Sequence, residues 1–275
     1  MEKVLVLGLG EVGRPIFEII RESGKFEVYG YDVVPEKTIH KLEEIPQSVD
    51  YIHVCFPCFS KETFIKEVEK YIKLFNPKLI IVHSTVIPGT CREIHGVYNV
   101  HVVHSPVRGV HTKMKEHLKF WTKWIGPVCD VCRTLAEKHL RDIGFKVRVA
   151  SNAETTELSK LWETVLRAIL ITSWHDIHRT AKIFNADIRE IAEFIGEVHE
   201  VLKDRPIYFP GVIGGHCLIP NTRLLLEVYH SPLLEYVLTS NEVRKLEIRN
   251  PDIVKEVEEV KKLLWEKFVN KDYFK

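Results

Sequence analysis

Cys217 stands in the stretch GVIGGHCLIPN (residues 211–221), two positions after the paired glycines Gly214 and Gly215. A thiol there has two readings. It is a nucleophile, because glycines let the backbone crowd against a substrate and offer N–H groups to an oxyanion. Or it is a small buried residue in a tight turn. Lys160 is the second group with chemistry to offer. In TELSKLWET (residues 156–164), Glu157, Lys160 and Thr164 fall at i, i+3 and i+7 and share one helix face. Such a lysine either exchanges protons and stabilises an alkoxide, or is a solvated side chain on an amphipathic helix.

A phosphate-binding pattern opens the chain. KVLVLGLGEVGRPIFEII is a short apolar run, then Gly8-x-Gly10-x-x-Gly13, then a helical pattern, and the next strand-like run, FEVYGYD, ends in Asp32. Gly8 permits a tight turn, Gly10 lets the backbone approach a pyrophosphate, and Gly13 lets helix and strand pack closely. Glu11 and Val12 lie in the same turn, where the helix amino terminus favours phosphate charge. Asp32 would accept hydrogen bonds from ribose hydroxyls and repel a 2′-phosphate, which predicts NAD rather than NADP. Pro57, Ser84 and Thr85 follow later strands in CFPC and HSTVIPGT, and we assign them to the same cofactor site. His83, His104, His216 and Arg108 also sit at motif ends, as weaker candidates for a base or an anion ligand.

The six cysteines include two C-x-x-C pairs, Cys55/Cys58 and Cys129/Cys132. Together they would supply a Cys₄ zinc set. Neither pair has the glycine or aromatic spacing of a zinc knuckle, so the expectation is reduced thiols and no metal site.

The elements that must position these groups alternate between strand and helix over residues 1–149. This predicts an α/β fold, with a Rossmann-type, doubly wound parallel sheet binding NAD. Strands are expected at KVLVLG, FEVYGYD, YIHVCFP, KLIIVHST, VHVVHSPVRG and FKVRVAS, with helical segments between them. Residues 150–275 read as an all-helical dimerisation and substrate domain, strand-like only around YFPGVIGGHCLIP. Its first helix is apolar around much of its circumference and needs burial on several sides, which predicts a homodimer. With 39 basic and 38 acidic residues the net charge is +1, no reason to expect nucleic acid or an anionic membrane as partner. No apolar run is long enough to span a bilayer, and the start lacks a signal peptide. The expected setting is cytoplasmic.

GLGEVGRP, HSTVIPGT, HSPVRG, TELSKLWE and GVIGGHCLIP occur here in the order in which the nucleotide-sugar 6-dehydrogenases carry them, and the chain resembles that family over about residues 1–245. The resemblance implies an NAD-binding domain, a helical dimerisation domain and, in the family, a further nucleotide-binding domain, at whose expected start this sequence has its final helix. It also implies oxidation of a sugar alcohol to an acid in two steps. A cysteine thiolate, here Cys217, adds to the intermediate aldehyde, and the thiohemiacetal is oxidised to a thioester that water hydrolyses. Lys160 and Thr85 match further family positions. Three others depart from the pattern: Thr164 stands for an Asn, Val107 for a Glu and Asn221 for a carboxylate. A simpler single-step hydroxyacid or alcohol dehydrogenase using Lys160, or a non-catalytic NAD-binding module, are the alternatives.

Overall fold

Val4 and Val6 face one side of the first strand, Leu5 and Leu7 the other, and all four are buried. A strand buried on both faces needs helices above and below it, and the chain supplies them. The computed structural model describes residues 1–273. β1 (Glu2–Leu7), α1 (Gly13–Glu22), β2 (Phe26–Tyr31), β3 (Tyr51–Val54), α2 (Lys61–Phe75), β4 (Leu79–Val82), α3 (Thr90–Tyr98) and β5 (His101–His104) follow in strict alternation except between β2 and β3. Then come α4 (Met114–Phe120), β6 (Lys123–Pro127), α5 (Asp130–Ile143) and β7 (Val147–Val149). The sheet order is β2-β1-β3-β4-β5-β6-β7. The first five strands are parallel, β6 runs antiparallel to β5, and β7 is parallel to β6. Residues of α1, α4 and α5 pack with Val4, Val6, Leu79 and Ile81, and residues of α2 and α3 with Leu5, Leu7, Ile80 and Val82.

Strand order reverses at β1, so a crevice opens beyond the carboxyl ends of β1 and β3. The backbone ladder runs one residue past the strands there. Gly8 donates to Tyr31 O at 2.9 Å, Cys55 to Leu7 O at 2.8 Å, His83 to Val54 O at 2.9 Å and Ser105 to Val82 O at 2.7 Å. Each motif-bearing turn is thus tied to a neighbouring strand.

From α6 (Ala153–Ile183) onward the regular structure is helical: α7 (Ile188–Leu202), α8 (Leu218–Leu226), α9 (Pro232–Glu247) and α10 (Pro251–Lys267). The chain divides into two compact units, Met1–Leu161 and Trp162–Lys275, the division falling inside α6. Trp174, Ala192, Ile207, Val260 and Leu263 form a core within the second unit. Among the described residues no helix is long and apolar enough to cross a membrane.

Two expectations are corrected. The sequence reading passes from β5 to β7 through helix alone and misses β6. Its first residue, Lys123, is a buried lysine, which breaks the apolar alternation, and the strand has only five residues, the last of them Pro127. Conversely, the strand-like run at residues 208–220 forms no strand, and its last three residues open α8. Side chains of α6 and α9 take its backbone polar groups instead, as described below.

Candidate active site

In the first unit the glycine turn is built by close approach. Gly8 has φ +83°, and a Cβ on it would meet Phe56 N at 2.8 Å. A Cβ on Gly13 would lie 1.7 Å from Gly8 O. Neither position accepts a side chain. Gly10 differs, with nothing within 4 Å of its Cβ position. That open space lies at the amino end of α1, whose first turn carries no acidic residue and no side-chain cap. A diphosphate fits such a cradle. Asp32 closes it from β2. Its Oδ2 accepts the Leu9 N–H at 2.6 Å and its Oδ1 the Val34 N–H at 2.8 Å. Glu11 is paired with His111.

At the adjoining strand ends, Pro57 is exposed. Ser84 bridges two turns by donating from Oγ to Phe56 O at 2.6 Å. Thr85 is half-buried, and no hydroxyl partner is present for it among the described residues. Ser84 therefore shapes the turn. Lys160, on α6, is close enough to His104 and Lys123 for its charge to depress the proton affinity of both. Glu157, one turn earlier, is fully buried and caps α3, accepting the Gly89 N–H at 2.7 Å and the Cys91 N–H at 3.0 Å. Burial holds its carboxyl above the usual range.

Of the weaker candidates His216 is exposed, and the other three have structural contacts. Burial pushes His104 down to about 3, and it is locked between Thr156 Oγ1 at 2.9 Å and Ser84 O at 3.1 Å. His83 is also depressed by burial and heads a chain of buried rings. Its Nε2 meets His53 Nδ1 at 2.8 Å, and His53 Nε2 meets His139 Nε2 at 2.9 Å. Ser105 O, 2.7 Å from His83 Nδ1, can only accept. Lys123 Nζ lies 3.0 Å from that same nitrogen. His139 Nδ1, at the far end of the chain of rings, has no hydrogen-bond partner among the described residues. Arg108 donates to Thr122 O at 2.8 Å and lies over the Trp121 ring. Sequence reasoning missed Lys123 altogether. Its Nζ donates to Ser105 O at 2.5 Å and Pro106 O at 3.0 Å, and burial lowers its pKa to about 7. A lysine inside an apolar stretch was the available signal.

In the second unit Cys217 is the N-cap residue of α8, half-buried, and its side chain makes no cap hydrogen bond. Gly215, with φ +77°, makes the turn before it. The loop is held from two helices. Asn241 on α9 brackets Ile213, accepting its N–H at 2.8 Å and donating to its carbonyl at 3.1 Å. His175 on α6 donates from Nε2 to Gly211 O at 2.8 Å. A cavity of about 320 Å³ runs beside it, lined by Arg167, Ile171, Val212, Gly214 and Leu218 among others. A larger cavity of about 460 Å³ in this unit is lined by none of the candidate residues.

Two of the three departures from the family pattern meet one another. Asn221, one turn into α8, donates from Nδ2 to Thr164 Oγ1 at 2.9 Å, and both are buried. An amide and a hydroxyl thus face each other where the family pattern has a carboxylate and an amide. Val107 is buried in the apolar core.

A mostly parallel sheet with a glycine turn at its switch point, followed by a helix-rich region, is a Rossmann-like architecture. More closely, the chain is homologous to the nucleotide-sugar dehydrogenases: residues 154–244 match the UDP-glucose/GDP-mannose dehydrogenase family, central domain. A UDP-N-acetyl-D-mannosamine dehydrogenase from Pyrococcus horikoshii is 26% identical over 82% of this chain and 64% of its own length. The chain spans less than two thirds of the length of the curated relatives it matches. The solved structure of a UDP-D-ManNAc dehydrogenase from the same organism aligns with a TM-score of 0.75 at 22% identity, covering 87% of this chain and 68% of that one. A 3-hydroxyisobutyrate dehydrogenase from Mycobacterium tuberculosis shares the fold with a TM-score of 0.67 at 14% identity, over 96% of this chain and 99% of that one. The homology supports an oxidoreductase-like function in general terms.

Proposed function

We propose that the chain is an NAD-dependent oxidoreductase that acts on a CH–OH group of a nucleotide sugar and carries it to the acid through a thiohemiacetal on Cys217. The observation that carries this reading is the placing of Cys217 at the start of α8, in a glycine loop pinned by Asn241 and His175. NAD, when bound, supplies the hydride acceptor for both oxidations. Gly8, Gly10, Glu11, Val12 and Gly13 hold the diphosphate with the amino end of α1, and Asp32 selects the unphosphorylated ribose. Pro57, Ser84 and Thr85 form the strand-end wall, with the Thr85 hydroxyl turned to the ligand's use.

Lys160 stabilises the alkoxide as the sugar hydroxyl loses its proton. Cys217 adds as thiolate to the aldehyde carbon, and the oxyanion so formed takes up a proton to give the thiohemiacetal. Hydride loss from that carbon, with loss of the hydroxyl proton, leaves a thioester. Water then cleaves the thioester and the thiolate is regenerated. Thr164 and Asn221 orient that water as a neutral pair. In this reading residues 1–149 bind the cofactor and residues 150–275 carry substrate contacts and a homodimer interface. The exposed apolar stripe of Leu158, Trp162 and Leu166 on α6 supports such an interface.

A second reading is favoured by one observation. With Val107 in the core and a neutral amide at position 221, no carboxylate remains at those two positions to activate water, which suits a single oxidation with Lys160 as acid–base and Cys217 idle. The yield of NADH per sugar consumed, across a panel of UDP- and GDP-sugars, separates the two. Two equivalents are expected. One equivalent would establish the single oxidation, and NAD binding without any turnover would overturn both.

A further inference from the structure

The Cys₄ set is not formed. Cys55 follows the carboxyl end of β3, whereas Cys129 and Cys132 begin α5 at the opposite edge of the sheet, beside the amino end of β5. Two histidines join the second pair there. His101 is the first residue of β5 and His95 lies in the last turn of α3. The His101 Nδ1 is 3.5 Å from Cys132 Sγ and 3.7 Å from Cys129 Sγ. One ring nitrogen each of His95 and His101 and the Cys132 sulfur all lie within 4.8 Å of one another.

We infer that His95, His101, Cys129 and Cys132 form a closed Cys₂His₂ zinc site. Zn–S bonds of 2.3 Å and Zn–N bonds of 2.0–2.1 Å set a tetrahedral N···S edge of about 3.6 Å, and both His101–sulfur distances fall there. One hydrogen bond at the cluster leaves a ring nitrogen free for a metal. His95 Nδ1 donates to Val100 O at 2.7 Å, so its proton is on Nδ1 and Nε2 keeps the lone pair a metal needs. The Cys129 sulfur accepts the Cys132 N–H at 3.2 Å at the amino terminus of α5. Two thiolates balance the charge of the ion, and a thiolate–imidazole set suits zinc. The sulfurs are 2.7 Å apart. That is well beyond a disulfide bond of about 2.05 Å, and a turn of the Cys129 side chain opens them to bracket the metal.

The spacing is H-x₅-H followed by C-x-x-C. It ties the end of α3, the start of β5 and the start of α5 into one clamp. The edge is opposite the one carrying Gly8, Ser84 and Thr85, so the site is structural rather than part of hydride transfer. A redox-active Cys129–Cys132 disulfide is the rival, and it would leave the two converging imidazoles without a purpose.

The test uses tag-free full-length protein, stripped of metal and kept under reducing conditions, titrated first with Co²⁺ and then with Zn²⁺. One equivalent of Co²⁺ should bind with the thiolate charge-transfer and tetrahedral d–d bands of a two-sulfur site, and one equivalent of Zn²⁺ should bleach them. His101→Gln and the Cys129→Ser/Cys132→Ser pair should weaken binding at least a hundredfold, while Cys55→Ser/Cys58→Ser leaves it unchanged. Circular dichroism identifies the folded variants, and His95→Gln serves if another variant fails to fold. Zinc should also raise the melting midpoint of the wild type and not of the variants. The site is overturned if no saturable cobalt spectrum appears, or if binding survives these substitutions. Metal-free protein two mass units light at Cys129–Cys132 would overturn it in favour of the disulfide.

Discussion

Asp32 has two tasks, and they are hard to separate by eye. Its carboxylate accepts two backbone N–H groups, one from the glycine turn itself, and it remains the acidic group at the end of β2 that would meet a ribose. Removing it therefore loosens the turn as well as the recognition. Asp32→Ala should weaken NAD binding roughly tenfold, the value of one or two hydrogen bonds to a charged group, and relax the preference over NADP. Calorimetric titration with both cofactors checks this, and an unchanged affinity and preference would contradict it. Thr164 and Asn221 teach a different lesson at this scale. Each substitution relative to the family pattern was visible in the sequence, but their hydrogen bond to one another was not. It joins residues 57 positions apart, and no spacing rule reaches that far.

Among the elements, the strands that alternate apolar residues were legible. β1, β3 and β4 are short two-faced runs closed by turn residues, and their order along the chain already implied the crossover helices. β6 was not legible, because Lys123 occupies a core position by satisfying itself on two carbonyls. The Cys217 loop was misread as strand-like for a related reason. Its backbone partners are the side chains of Asn241 and His175, on helices read only as amphipathic. Asn241→Ala would orphan the Ile213 N–H and carbonyl, at about 1–3 kcal/mol for each buried group. Urea denaturation should register that loss, together with lower turnover from a loosened loop; a variant as stable as wild type would contradict the anchoring role. The zinc ligands escaped attention because the C-x-x-C pair was matched with the other C-x-x-C pair rather than with histidines of α3 and β5.

The sheet also stores a pH dependence. Burial pushes His104 and His139 down to about 3, and His53 and His83 well below the usual imidazole range. These rings stay neutral in the folded protein, whereas the unfolded chain protonates them near pH 6.5. Below that value the unfolded state binds more protons. Stability is therefore full above about pH 6.5 and falls as the pH drops towards about 3, by about 1.4 kcal/mol per pH unit for each ring. Urea midpoints at pH 7, 6 and 5 should decline accordingly, and His104→Gln should flatten the slope by about one proton. A stability indifferent to pH over that range would contradict the burial argument.

At the scale of the whole molecule, the second unit exposes the large apolar side chains Trp162, Leu166, Phe194, Val201 and Trp265. The homodimer through α6 proposed above would cover part of them. Sedimentation at micromolar concentration should give a dimer, and Leu166→Glu should shift it to monomer without unfolding; a wild-type monomer would refute the interface. The central claim, however, is that Cys217 does covalent chemistry, and one comparison tests it most directly. NAD reduction should be followed with UDP- and GDP-sugars on wild type and Cys217→Ala side by side, after confirming equal NAD binding. The account predicts turnover in the wild type and a fall of about a thousandfold or more in the variant. Equal turnover in both would contradict it and leave Lys160 with a single oxidation.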